Sequence, residues 1–595
     1  MLTSQEQRTY DRETFINEAS ELMAVAARCR SLSEARDALL EAVNRMHGRT
    51  IRDDVATHAA IRSRDCARAL CSIFRQRSDT LSGFSATQAF WDLARGVPRD
   101  GLQPAFYAEM IHLVRGLLAL APIRFFADLT AHDGLAGREA ALARSAELDR
   151  LWDLVESKMN RYADGLAPEV RVRREQNMQR VLDVLGGSPA DWGDWRWHTA
   201  HVITDAGVLG RIIALSESER ASINAARAAG LPFGVTPYYA SLLDRESEGS
   251  DQAVRAQVIP PADYVQFMSE KRNHREECDF MREGDTSPVD HVTRRYPAIV
   301  ILKPYNSCPQ ICVYCQRNWE IDQPMAPGAM AGDGELDAAV RWIDEHPAVQ
   351  EVLITGGDPL VMDDEHVERL LTKIAAIRHV DMIRIGTRTP VTLPMRITQR
   401  LAAMLGSFRE PGRRDLAVMT HVEHPYEITP ELALAVDKLR RAGLGVYNQH
   451  VFTFYVSRRF EAAKLRMLMR RAGIDPYYTF VPKGKEETAS YRVPIARILQ
   501  EQKEEARLLP GLRRTDEPVY NVPGLGKNYL RATQHRDLLT VLPDGSRVYA
   551  FHPWEKNIVN CRRHAAADVP ILDYLSRLAE AGEHIEDYES IWYYF

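Results

Sequence analysis

The sequence predicts an α/β protein: a partial (β/α)6 barrel, preceded by an all-helical N-terminal extension and followed by a C-terminal closing region. Three observations carry that expectation. From Arg294 onward, short apolar and β-branched runs alternate with amphipathic helical stretches. Before that point, the first 185 residues are rich in Ala, Leu and Arg, with apolar residues at helical spacing. Lastly, the residue patterns that carry chemical character fall at or just after predicted strand ends, where parallel α/β sheets bind ligands.

The elements follow in order. In residues 1–185, Phe15-Ile16 through Leu22-Met23 and Leu39-Leu40 mark helix faces, with breaks at Gly101, Pro122 and Gly134. No repeat and no catalytic constellation occurs there, which favours an accessory or oligomerisation role. Residues 186–293 read as a helical lead-in that becomes irregular, through Thr236-Pro237-Tyr238-Tyr239. Residues 294–500 form the barrel. Its strands are expected at Ala298–Leu302, Glu351–Thr355, Met382–Gly386, Leu416–Thr420, Leu444–Val451 and Tyr477–Val481. Between the fourth and fifth, Thr429-Pro430 supplies a helix cap and first-turn proline, Leu432, Val436 and Leu439 line the buried face, and Gly443 ends the helix. Residues 501–595 make a less regular closing region.

Bulk properties narrow the function classes. The chain has 595 residues, with 76 Lys and Arg against 82 Asp and Glu, a net charge of −6. That balance gives no general reason to expect nucleic-acid binding. No apolar run is long enough to span a bilayer, and Met1 to Arg30 has no apolar core of a signal peptide, so the expected compartment is the cytoplasm. The eight cysteines are too few for a disulfide framework in so long a chain.

Three of those cysteines stand together. Cys308, Cys312 and Cys315 have the spacing C-x3-C-x2-C directly after the first barrel strand. Such a loop can wrap three corners of a cubane [4Fe–4S] cluster and leave the fourth iron open. Structural zinc is the alternative, but it wants four ligands, and no second cysteine pair is present. Gly356-Gly357-Asp358-Pro359 follows the second strand; its glycines permit close backbone approach, although the same four residues also make an ordinary turn.

With Tyr314 before its last cysteine, the triad resembles the radical S-adenosylmethionine (SAM) superfamily. The resemblance implies that the open iron chelates the methionine moiety of SAM, that one electron releases a 5′-deoxyadenosyl radical, and that Gly356, Gly357 and Asp358 lie at the methionyl amine. The closer likeness is to the lysine 2,3-aminomutase family of amino-acid 2,3-aminomutases, and within it to glutamate 2,3-aminomutase. It runs from about Trp192 to about Lys527, through Arg295-Tyr296-Pro297, Arg384 to Pro390, His421 to Thr429, Asn448-Gln449 and Pro476-Tyr477-Tyr478. The first 185 residues fall outside it.

This likeness implies pyridoxal 5′-phosphate held by Lys527 in Val522-Pro523-Gly524-Leu525-Gly526-Lys527, one residue shorter than the family's loop. It further places Arg295 and Tyr296 at the cofactor phosphate, with Ile299 where the family has a second arginine. His421 and Gln449 fall near SAM, and Arg317 at the substrate α-carboxylate. A reduced flavodoxin or ferredoxin as electron donor and a homo-oligomer are also implied. Lysine-specific members neutralise the substrate ammonium with two aspartates; here those positions align with Lys483 and Asn521, although counting back from Lys527 selects Tyr520. A distal ammonium near Lys483 would be repelled by about 4 kcal/mol at about 4 Å in a medium of dielectric about 20, whereas a carboxylate would gain a charge-assisted hydrogen bond. L-Glutamate is therefore the expected substrate and β-glutamate (3-aminoglutarate) the product. Lysine, arginine or aspartate as substrate, and a non-catalytic iron–sulfur scaffold, are the alternatives. Only Cys561 lies where relatives carry a C-terminal zinc site, so no zinc is expected there.

Overall fold

The computed structural model describes residues 10–52, 55–121, 134–246, 250–482, 485–553 and 564–595. Its centre is a sheet whose strands lie side by side in chain order. The strands are β1 (Val292–Thr293), β2 (Ile299–Tyr305), β3 (Glu351–Gly356), β4 (Met382–Gly386), β5 (Asp415–Thr420), β6 (Gly445–Val451), β7 (Asp475–Phe480), β8 (Glu517–Val522) and β9 (Gly526–Tyr529). β2 through β8 are parallel, while β1 and β9 pair antiparallel at the two edges. The six expected strands are present, and β8 extends the parallel run to a seventh. Its short stretch Glu-Pro-Val-Tyr-Asn-Val offers little periodicity, and Pro518 argues against a strand in sequence alone.

Helices join successive parallel strands: Asp333–Asp344, Asp364–Ala375, Gln399–Ser407, Pro430–Arg441, Glu461–Arg471 and Ile495–Glu504. The fourth is built as its residues dictate. The Thr429 hydroxyl accepts from the Leu432 N–H, Leu432, Val436 and Leu439 are buried, and Gly443 turns the chain at φ +83°. These helices pack on one sheet face only. Val300, Leu302, Val352, Ile354, Ile383 and Ile385 share a core with Ile343, Leu371, Leu405 and Leu439.

The opposite strand face is different. Along β2, β3, β4 and β6, fully buried residues alternate with partly accessible ones, and the accessible set is the one turned from the helices. A barrel filled by side chains would bury both faces. Here the inner row of those four strands, which includes Lys303, Arg384, Tyr447 and Gln449, stays partly accessible, whereas β5 and β8 are buried on both faces beyond their first residues. The sheet curls far enough for its edges to touch: Tyr296, between β1 and β2, accepts a 3.4 Å hydrogen bond from the Lys527 N–H of β9.

A second body stands beside the barrel. Helices Arg12–Glu18, Ser20–Ala27, Leu32–Thr50, Thr57–Ile73, Gln76–Ser82, Ala86–Ala94 and Pro104–Leu117 precede the lead-in. Side-chain oxygens of Asp11, Ser31 and Ser85 cap three of them. They pack on a small antiparallel sheet of β10 (Arg536–Val541), β11 (Arg547–Phe551) and β12 (His564–Ala567), and on the helix Ile571–Glu580. One core unites them, including Phe15, Leu39, Phe90, Phe106, Tyr549 and Trp592. No described helix is long and apolar enough to cross a membrane.

Candidate functional site

The cysteine loop leaves β2 and is pinned from several sides. Backbone N–H groups of Ile311 and Val313 donate to the carbonyls of Gly234 and Gln257, each at 2.9 Å. The Tyr314 hydroxyl donates to the Gln257 side chain at 3.0 Å. The lead-in thus braces the loop. Ser307, just before the first cysteine, packs against the glycine pair: a Cβ on Gly357 would lie 1.9 Å from the Ser307 carbonyl oxygen, and Gly356 has φ +122°. These glycines therefore hold two backbone segments together. Asp358 is buried and its carboxylate accepts from Thr387 Oγ1 at 2.5 Å and from the N–H groups of Arg388 and Leu360 at 2.9 and 3.1 Å. Its oxygens are committed to tying the end of β3 to the loop after β4.

Burial, then the Asp358 carboxylate and the neighbouring thiols, push the Cys308 thiol well above its ordinary range, and burial pushes Cys312 to about 11. The three cysteines share one loop, although among the described residues no three thiol, imidazole or carboxylate groups stand together at metal-binding spacing. Three thiolates in a half-buried loop gain from compensating positive charge, which an iron cluster would supply. Arg388 provides one such charge from the protein, its Nη1 donating to Cys312 Sγ at 2.8 Å. The same guanidinium reaches the His421 carbonyl at 3.2 Å, Glu427 at 2.7 Å and the Gln257 side chain. Sequence reasoning passed over Arg388, although it lies inside the Arg384 to Pro390 motif.

Burial beside Arg388 lowers the His421 imidazole to about 4, so it is neutral at physiological pH. Gln449 lies on the inner row of β6, opposite Tyr478 of β7. Glu423, another residue the sequence did not single out, is buried among these groups and is raised to about 8 by burial, despite Arg388 nearby.

At the far edge of the sheet, Lys527 extends its amine over two aromatic faces, 4.8 Å from the Tyr296 ring centre and 5.4 Å from that of Tyr478. Asn521 is its registered partner across the β8–β9 hairpin. Tyr520 turns the other way and stacks on Phe551 at 4.7 Å, so of the two positions the count left open, Asn521 belongs to the inner row. Arg295 donates to the Met281 carbonyl. Arg317 is held by Glu283 through two bonds of 3.1 and 2.8 Å, and Lys303 Nζ lies 3.5 Å from the same carboxylate. Lys483 lies outside the described residues, as does Cys561. Lys485, two residues on, is buried and donates to Asn318 at 3.1 Å and to the Cys315 carbonyl at 3.4 Å, so it serves the cysteine loop.

The site thus has two poles at the C-terminal end of the barrel: a cysteine loop after β2 and a lysine over aromatic rings at β9. Residues 302–472 match the model of the radical SAM superfamily, and this fold and loop define a radical SAM protein. Over 548 residues the chain is 44% identical to an uncharacterised KamA family protein of Methanocaldococcus jannaschii, a match covering 88% of this chain and 87% of that one. It is 31% identical over 361 residues to the glutamate 2,3-aminomutase of Clostridioides difficile, covering 60% of this chain and 80% of that enzyme. It is 29% identical over 312 residues to the L-lysine 2,3-aminomutase of Methanococcus maripaludis, covering 52% and 69%. The chain belongs to the KamA family of radical SAM aminomutases. That superfamily implies a [4Fe–4S] cluster and SAM.

Proposed function

We propose that the chain is an isomerase, a pyridoxal phosphate-dependent radical SAM 2,3-aminomutase that converts L-glutamate to β-glutamate. The observation that carries the aminomutase reading is Lys527, whose amine stands over the Tyr296 and Tyr478 rings at the same end of the barrel as the cysteine loop. Aromatic walls suit a planar pyridine ring, and a lysine between them suits attachment to its aldehyde. When bound, pyridoxal phosphate would tether the substrate nitrogen, and the cluster with SAM, reduced by flavodoxin or ferredoxin, would supply the hydrogen-abstracting radical.

The protein's part is to position and to exclude. Cys308, Cys312 and Cys315 would hold the cluster, while the Arg388 guanidinium sits against the Cys312 sulfur. Arg295 and Tyr296 would face the cofactor phosphate. Arg317, its fork oriented by Glu283, would take the substrate α-carboxylate. The glutamate assignment rests on Lys483 and Asn521, a cation and a neutral donor where lysine-specific relatives keep acids. Asn521 supports it by lying beside Lys527 on the inner row.

The test is an anaerobic assay of reconstituted enzyme with dithionite, SAM and pyridoxal phosphate against glutamate, lysine, arginine and aspartate, with β-amino products read by mass spectrometry. β-Glutamate is the expected product. A β-amino product from lysine but none from glutamate overturns the substrate assignment. Release of 5′-deoxyadenosine with no β-amino product overturns the aminomutase reading, and no release at all leaves only the scaffold.

A further inference from the structure

The helical block of residues 10–121 contributes nothing to the site above, yet it is not an appended module. We propose that it is a positioning element for the β8–β9 hairpin, and hence for Lys527. The hairpin needs one. Among the described residues β9 is an edge strand, laddered to β8 alone and tied to the opposite edge by the single 3.4 Å bond to Tyr296, so packing from outside the sheet contributes to its placement.

That packing comes from the second core. Val522, Leu525 and Leu530, which bracket Lys527, are buried in the same cluster as Leu70, Phe90 and Phe106 of the block. Polar ties fix the relation. Glu109 and Arg547, 1% and 2% exposed, pair at 3.0 Å across the boundary. Arg547 also donates to the carbonyls of Trp592 and Tyr594 at 2.6 and 2.5 Å. The Gln103 N–H donates to the Pro543 carbonyl at 2.9 Å. Gly545, at φ +85°, approaches so closely that a Cβ there would lie 2.5 Å from the Ala105 methyl.

From Arg547 the mechanical path to the lysine is short. Its strand, β11, carries Phe551, which stacks on Tyr520 at 4.7 Å and 12°. Tyr520 adjoins Asn521, the registered neighbour of Lys527. A second path runs through β10, where Arg536 donates to the Leu530 carbonyl at 2.6 Å. The cysteine loop has no share in this: it is braced by the lead-in at Gly234 and Gln257. The block therefore acts on one pole of the site and not on the other. The M. jannaschii relative, whose match covers 88% of the chain, includes more than half of residues 1–185.

The experiment is hydrogen–deuterium exchange by mass spectrometry on the full-length, cluster-loaded protein carrying Glu109→Gln. It does not depend on what Lys527 binds. Exchange in residues 517–530 should rise by about tenfold or more, with β3, β4 and β5 and the iron content unchanged. Faster exchange confined to residues 103–121 and 536–551, with the hairpin as in wild type, overturns the proposal. So does an equal rise throughout the barrel, which would make the block a general stabiliser. If Glu109→Gln does not fold, Ser72→Ala, which removes the bond from the Ser72 hydroxyl to the Leu538 carbonyl, serves for the same comparison, with an expected rise of about threefold at the hairpin.

Discussion

Gly357→Ala isolates the contact that sets the cysteine loop. An added Cβ would lie 1.9 Å from the Ser307 carbonyl oxygen and 2.5 Å from the Ser307 carbonyl carbon and nitrogen. All three are backbone atoms, so no rotamer change relieves the overlap, and the segments must part by more than about 1 Å to reach ordinary contact. Parting them breaks the bonds from the Asp358 N–H to the Ser307 carbonyl at 2.9 Å and from the Gly357 N–H to the Tyr305 carbonyl at 2.8 Å. Each is worth about 1 kcal/mol net, and overpacking adds about 1–3 kcal/mol. A total of about 3–5 kcal/mol shifts the docked loop by roughly 10²- to 10⁴-fold. Since Ser307 precedes Cys308, cluster retention should fall with it. Iron and sulfide content after anaerobic reconstitution, beside the thermal midpoint, measure this. Gly334→Ala, where an added Cβ meets nothing within 4 Å, is the silent control. A Gly357→Ala protein with wild-type iron content and midpoint would refute the reasoning.

Cys312→Ala should abolish cluster and activity together; wild-type turnover in that variant would sink the mechanism. Lys527→Ala should keep the cluster and SAM cleavage while losing β-amino product and borohydride trapping of pyridoxal phosphate; unchanged trapping would move the attachment elsewhere. Arg388→Lys replaces a fork reaching Cys312, His421, Glu427 and Gln257 by one point charge, and should speed iron loss to a chelator by about tenfold; an unchanged rate would show that Arg388 does not brace the loop. Burial raises the Asp568 carboxyl to about 7, although it accepts from the Ile495 and Val569 N–H groups. The folded chain therefore keeps a proton that the unfolded chain loses near pH 4 (ordinary pKa about 3.9), so this group's contribution to stability is full below about pH 4 and declines as pH rises to about 7. Asp568→Asn should flatten the fall in thermal midpoint between about pH 5 and 7; an undiminished slope would assign it to another group.

The barrel's first six parallel strands were legible because most are short apolar or β-branched runs between amphipathic helices, and side chains buried under helices leave that pattern. β8 was not legible: Pro518, Tyr520 and Asn521 mix three environments, with Tyr520 in one core and Asn521 beside the site. The cysteine spacing and the Gly-Gly pair were readable as chemistry, but not the reason for Gly357, which depends on Ser307, fifty residues away in sequence. Arg388 and Glu283 escaped because an arginine's partners are long-range. The role of the helical block could not be read at all, since Glu109 meets Arg547 only after the chain has folded through the whole barrel.

In the proposed reaction a SAM-derived radical meets an amino acid held at Lys527. Incubating reconstituted enzyme with glutamate deuterated at carbon 3, and reading deuterium by mass spectrometry, tests it most directly. Deuterium is expected in 5′-deoxyadenosine, together with a β-glutamate product. Unlabelled 5′-deoxyadenosine formed with no β-glutamate would contradict it.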